Sequence, residues 1–180
     1  MQNSMKSLRG AHRAAEWYAS QRRKGAAKEP YVNHLLEVAA LVASAGASED
    51  VICAALLHDA IEDQKIPAVL IASLFGAAVA GMVCEVTEDK TKSKEERKEL
   101  QITHAPTLSP GAKLIKLADK ISNLNSLTSS APVEWMTERR LAYVEFCRNV
   151  VAGLRGANTM LEELFDEAAD AAREAHQHAS

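Results

Sequence analysis

The stretch 56-LLHDAIED-63 decides how this chain is read. An apolar run from Val51 to Leu57 stops at His58 and Asp59; Ala60 and Ile61 follow, then Glu62 and Asp63. On a helix, residues three and four apart share a face. His58 is so related to Glu62, and Asp59 to both Glu62 and Asp63. The preceding segment is apolar all round, the mark of a buried helix. Carboxylates at its end cost free energy unless something positive pairs with them. No lysine or arginine lies between Val51 and Gln64. Either this helix end is solvated, or a cation sits against it.

Two distant residues favour the cation. His34 falls just inside the helix after 30-PYVN-33, and Asp119 lies in the apolar segment 113-KLIKLADKISNL-124, between Leu117 and Ile121. An acid in that company also needs a partner. His34, His58, Asp59 and Asp119 make a mixed nitrogen and oxygen set, suited to Mn²⁺, Zn²⁺ or Fe²⁺. Cys53, Cys84 and Cys147 are odd in number, widely spaced and set among apolar residues. They read as buried reduced thiols, not as a disulfide framework or a thiolate zinc site.

Outward from this stretch, nearly every segment carries helical period. The pattern predicts a first helix over residues 4–23 and a loop at Gly25 and Pro30. A second helix follows, capped by Asn33 and ended by Gly46. A third, capped by Ser48, runs through His58. Short helices follow Pro67 and Ala77; 88-EDKTKSKEERKELQ-101 begins as a charged loop and turns helical from Lys94. Ser109 caps another helix with Pro110 in its first turn. Two long helices, over residues 132–154 and 158–176, complete the chain, with a frayed tail after residue 172. The expectation is an all-α, single-domain bundle of eight to ten helices with at most one short β-hairpin.

Composition narrows the function classes. The 180 residues are 47% hydrophobic and only 4% aromatic, which favours helices over sheets. The formal net charge of −3 argues against general adhesion to nucleic acid. No apolar run reaches the roughly 20 residues of a membrane span, and the N-terminus lacks a signal core. A soluble, cytoplasmic protein is expected; the oligomeric state is left open. His12, His104, His176 and His178 have no evident chemical partners and read as surface or core residues. Lys113, Lys116 and Lys120 flank Asp119, and as helix lysines they ordinarily mark a solvated face.

The ordered motifs resemble a known family. His34, the His58–Asp59 pair and Asp119 match the ligand signature of the HD superfamily of metal-dependent phosphohydrolases. 58-HDAIED-63 resembles the HDxxED motif of the hydrolase half of the RelA/SpoT alarmone enzymes. 22-RRKGAAKEPYVNH-34, 86-VTEDKT-91, 96-ERKELQ-101, 109-SPGAKLIKLADKISNL-124 and 153-GLRGAN-158 are similar to the stand-alone hydrolases related to metazoan SpoT homologues. The resemblance implies that His34, His58, Asp59 and Asp119 hold one Mn²⁺, and that Glu62 and Asp63 activate the attacking water. It also implies that Arg23, Lys24, Asn123 and Tyr143, with Lys94 and Arg97, meet the nucleotide. Glu29 stands where the family often has Thr, and Leu35 where it often has Pro. The chain is also too short for the synthetase and regulatory domains of the long RelA/SpoT proteins.

Phosphate-ester hydrolysis needs an activated water and neutralised phosphate charge, and a metal serves both needs. Glu62 is placed to act as base or orienter, and Asp63 to share the proton. The leading reading is removal of the 3′-pyrophosphate from ppGpp or pppGpp. The alternatives are a phosphatase of NADPH or another nucleotide, and an HD module that senses a nucleotide without cleaving it.

Overall fold

The computed structural model describes residues 4–177, and among them the chain forms ten α-helices and one 3₁₀ turn. They are α1 Ser4–Trp17, α2 Tyr31–Ser44, α3 Glu49–Leu57, α4 Ala60–Gln64 and α5 Ala68–Phe75, then α6 Ala77–Val86, α7 Lys94–His104, α8 Pro110–Ser129, α9 Thr137–Ala152 and α10 Thr159–Gln177. The all-α expectation holds. β structure among the described residues is a single antiparallel bridge, Arg22 to Pro30.

Local chemistry explains several boundaries. Ser93 and Glu96 form a reciprocal capping box at the start of α7, each side chain holding the other's backbone N–H. Ser109 accepts from Ala112 N–H, with Pro110 opening α8. Gly46 takes φ +76° after α2, a left-handed conformation that suits glycine.

Other boundaries moved, each for a reason beyond local sequence. α1 ends at Trp17 because the chain turns out to make the Arg22–Pro30 bridge. Pro30, not Asn33, holds the N-cap position of α2. Ser48 stands at the N-cap of α3 without a side-chain hydrogen bond. Residues 132–136 form a turn, closed by Trp135 N–H on Pro132 O, so α9 begins at Thr137. α10 stays helical through Gln177, held by His176 Nε2 at 2.9 Å from Leu127 O, so the tail is not frayed there. His178 lies outside the described residues. Cys53 and Cys147 are buried free thiols as expected, but Cys84 is exposed, on the outer face of α6.

Two apolar cores meet along α8. One gathers α1, α2, α3, α5 and α6, with Leu35, Leu57, Ile71 and Val83 fully buried. The other gathers α9 and α10, with Leu154, Leu161 and Phe165 fully buried. α8 contributes Ile115 and Ala118 to the first and Leu117, Ile121 and Leu124 to the second. Each fully buried Leu or Ile is worth about 1.5–3 kcal/mol. A helix buried on nearly every side gives its polar residues rigid positions, and it brings Asp119 to the seam between the cores.

Candidate metal centre and substrate cleft

The third helix does not run on through the acids. α3 ends at Leu57, His58 stays helical, and Asp59 sits at φ −97°, ψ 0° before α4 begins. This is the bridge region of backbone space, where many active-site residues sit. The break re-aims Asp59, while Asp63 N–H still reaches Asp59 O at 2.8 Å. The helical spacing read from the sequence therefore holds only across a bend.

Four side chains converge there. His58 Nε2 lies 3.1 Å from Asp59 Oδ2 and 3.8 Å from Asp119 Oδ1. His34 Nε2 lies 3.3 Å from Asp119 Oδ1 and 3.8 Å from Asp59 Oδ2. The candidate ligand atoms of His34, His58 and Asp59 are all within 4.8 Å of one another. Both histidines are buried, and Asp119 is nearly so.

The donor set fits a cation. His58 Nδ1–H donates to Ala55 O at 2.7 Å, which turns the Nε2 lone pair into the site. His58 Nε2 is buried and makes no hydrogen bond, despite the nearby carboxylate. Burial opposes charge on His58, yet Asp59 and Asp119 outweigh it and push the imidazole up to about 10, the same pull of two carboxylates that would draw a metal cation to Nε2 in place of a proton. Burial lowers His34. Burial alone would raise both carboxyls, but His58 beside Asp59 and Lys120 beside Asp119 hold them below the usual range. Two imidazole nitrogens and an Asp59 oxygen gathered together, with Asp119 Oδ1 beside both histidines, suit a divalent ion of the Mn²⁺, Zn²⁺ or Fe²⁺ kind.

Glu62 and Asp63 stand beside this centre, on α4. Glu62 Oε2 accepts from Glu88 N–H at 3.2 Å, and Lys90 Nζ lies 3.4 Å from Glu62 Oε1. Burial and then the Glu88 charge raise the Glu62 carboxyl. Asp63 accepts from Lys90 Nζ at 2.8 Å and from Gln21 Nε2 at 2.9 Å.

A cleft of about 350 Å³ opens over His58, Asp59, Glu62 and Asp119, and its walls include Lys24, Lys94, Arg97, Asn123 and Tyr143. Arg23 lines the adjoining recess, which shares Lys24, Asn123 and Tyr143 with the cleft. Arg23 Nη2 donates to Asn123 Oδ1 at 3.0 Å, and Asn123 Nδ2 donates to Asp119 Oδ1 at 2.7 Å. Arg97 is paired with Glu88 at 3.1 Å. Arg22 also borders that recess, but its guanidinium is spent on the carbonyls of Ala19 and Gln21. Neither of the two departures touches a candidate ligand through its side chain. Glu29 holds Arg23 N–H through its backbone carbonyl, and Leu35 is fully buried in the core.

The sequence reading missed several groups at the site. Tyr31 donates to Asp59 Oδ2 at 2.6 Å. Lys116 and Lys120 are buried and line the cleft, not a solvated face. Lys120 donates to Asp119 Oδ2 at 3.2 Å and lies over the Phe146 ring. A signal for them existed: Lys116, Asp119, Lys120 and Asn123 form one polar stripe at helical spacing on a buried helix. Lys90 had none, because its loop reads as a solvated charge run. Trp135 and Arg139 also line the cleft, the guanidinium 4.3 Å from the indole ring.

Known proteins resemble this chain in sequence and in fold. The HD-domain family model matches residues 11–158. The guanosine-3′,5′-bis(diphosphate) 3′-pyrophosphohydrolase MESH1 of Xenopus tropicalis is 46% identical over 161 residues, 88% of this chain and 90% of the relative. Its Homo sapiens counterpart is 44% identical over 158 residues, 87% of this chain and 88% of the relative. The solved structure of a metazoan ortholog of SpoT that hydrolyses ppGpp superposes with a TM-score of 0.87 at 43% identity, covering 91% of this chain and 93% of that one.

Proposed function

The chain belongs to the HD-domain family, among its RelA/SpoT-type hydrolases, and from that premise we propose that it hydrolyses ppGpp and pppGpp to GDP or GTP and pyrophosphate. The observation that carries the proposal is the convergence of His34, His58, Asp59 and Asp119 beneath a cleft walled by lysine and arginine. These four residues would hold one Mn²⁺. When bound, a divalent ion makes water more acidic and offsets phosphoryl charge.

The chain's own groups do the rest. Glu62 accepts the proton of the attacking water as the new oxygen–phosphorus bond forms. The bond from phosphorus to the ribose 3′ oxygen then breaks, and that oxygen takes up a proton. Glu88 N–H and Lys90 hold the Glu62 carboxylate in place, and Lys90 links it to Asp63, which shares the proton load. Lys24, Lys94 and Arg97 offset the diphosphate charge from the cleft wall. Arg23 and Asn123 connect the nucleotide side of the cleft to Asp119. Tyr143 packs edge-on to Trp135 and offers an aromatic surface with a hydroxyl to the nucleoside.

The test is product analysis of Mn²⁺-loaded protein with ppGpp, NADPH and nucleoside monophosphates. GDP and pyrophosphate are expected from ppGpp. Turnover of NADPH or monophosphates alone would replace this substrate, and binding of ppGpp without pyrophosphate release would favour a sensor.

A further inference from the structure

His34 and His58 reach the same centre with their orientation fixed in different ways. His58 Nδ1–H is held by the carbonyl of Ala55, three residues earlier on its own helix. His34 has no such local partner. Its Nδ1 lies 2.8 Å from Ser122 Oγ, a side chain 88 residues away on α8. Ser122 is fully buried. It in turn lies 2.6 Å from Glu37 Oε2, one turn beyond His34 on α2, and Asn125 Nδ2 donates to Glu37 Oε1 at 3.2 Å.

The direction of each hydrogen bond follows from proton counting. An ionised carboxylate only accepts, and a serine hydroxyl has one proton to give. Ser122 spends that proton on Glu37, so toward His34 it can only accept. Nδ1 of His34 must therefore carry a ring proton, and in the neutral ring that burial favours, Nε2 is left with a free lone pair. Nε2 is the atom that faces Asp59 and Asp119.

We propose that Ser122 and Glu37 are positioning residues that lock His34 in the tautomer able to bind the metal, and that they clip α2 to α8 at the ligand pair His34–Asp119. Ser122 lies three residues after Asp119, and Glu37 three after His34, so one helical turn on each side joins the clip to a ligand. A buried serine and a half-buried carboxylate in the α2–α8 seam thereby acquire a role that packing alone does not require. The inference rests on the metal reading proposed above, but the tautomer can be measured without any metal.

The experiment compares wild type, Ser122→Ala and Glu37→Gln. Two-bond ¹⁵N–¹H correlation spectra of the metal-free proteins report which ring nitrogen of His34 carries the proton. Mn²⁺ affinity is read by competition with a chelator. Wild type should show the Nδ1–H form. Ser122→Ala should populate the Nε2–H form. Glu37→Gln should do so too, because an amide can present its N–H₂ to Ser122 and free the hydroxyl to donate to His34. Affinity for Mn²⁺ should fall about 10–100-fold in both, the usual scale for groups that orient a ligand. Unchanged spectra in both variants overturn the proposal, and so does a wild-type Nε2–H form. If wild type bound no divalent ion, the metal reading would fall, and the metal-free spectra would still decide whether Ser122 and Glu37 set the tautomer.

Discussion

The floor and the walls of the cleft are built on different principles. The floor is His34, His58, Asp59 and Asp119, carried on helices whose opposite faces fill the two cores. The walls are long cationic side chains from the segment after α1 and from α7, with Tyr143 on α9. His34, His58 and Asp119 are buried and Asp59 is half-buried, and they lean on one another, so each removal leaves another group stranded. Wall groups are partly or fully exposed, with alternatives in water. Burial thus sets how much a single side chain matters, and effects should fall steeply from floor to rim.

The largest effect is expected at the floor. His58→Ala removes one proposed ligand and takes from Asp59 its nearest imidazole. Turnover should drop by more than about 10⁴-fold, beyond the scale of one general acid–base group. Elemental analysis should find the divalent ion lost. A variant that keeps one metal per chain and substantial activity would break the contrast between floor and wall.

Glu62 stands at the border between the two. Glu62→Gln should retain the metal but lose about 10²–10⁴-fold in kcat. Its working form is the ionised one, so the rate should fall as pH drops through its pKa. Because burial and Glu88 raise that pKa, the acid limb of kcat should lie above the ordinary glutamate range. Glu88→Gln should move the limb to lower pH by removing a like charge, and Lys90→Ala should move it higher by removing an opposite one. Limbs that stay in place in both variants would separate Glu62 from the proton transfer.

Wall substitutions should be milder and should act on KM. A charge-assisted contact is worth about 1.5–3 kcal/mol, so Arg23→Ala or Lys24→Ala should raise KM roughly 10-fold or more. Added salt should weaken substrate capture in wild type more than in these variants, since exposed charges are screened. A change confined to kcat would show that the Arg23–Asn123–Asp119 chain acts on the floor instead.

The smallest effect is expected from Arg22→Ala, whose guanidinium binds only nearby carbonyls. A surface change of that kind is worth within about 0.5 kcal/mol, hence no more than roughly twofold in KM. A Lys24-sized effect there would extend the cationic wall beyond the cleft.

Helical periodicity, the Ser109 cap and the placement of Asp119 in an apolar helix were legible in the sequence, because each depends on residues within a few positions of one another. The same locality made His58, Asp59, Glu62 and Asp63 visible as one group. Tertiary packing alone decided the rest. It bent the chain at Asp59, drew Lys90 from a charged loop onto Glu62, and buried Lys116 and Lys120 where a solvated face was expected. It set His34 against Ser122 across 88 residues. Spacing along a helix is fixed by its backbone geometry, whereas the meeting of α2 with α8 is fixed by how two cores fill the space around them, which no short stretch of sequence encodes.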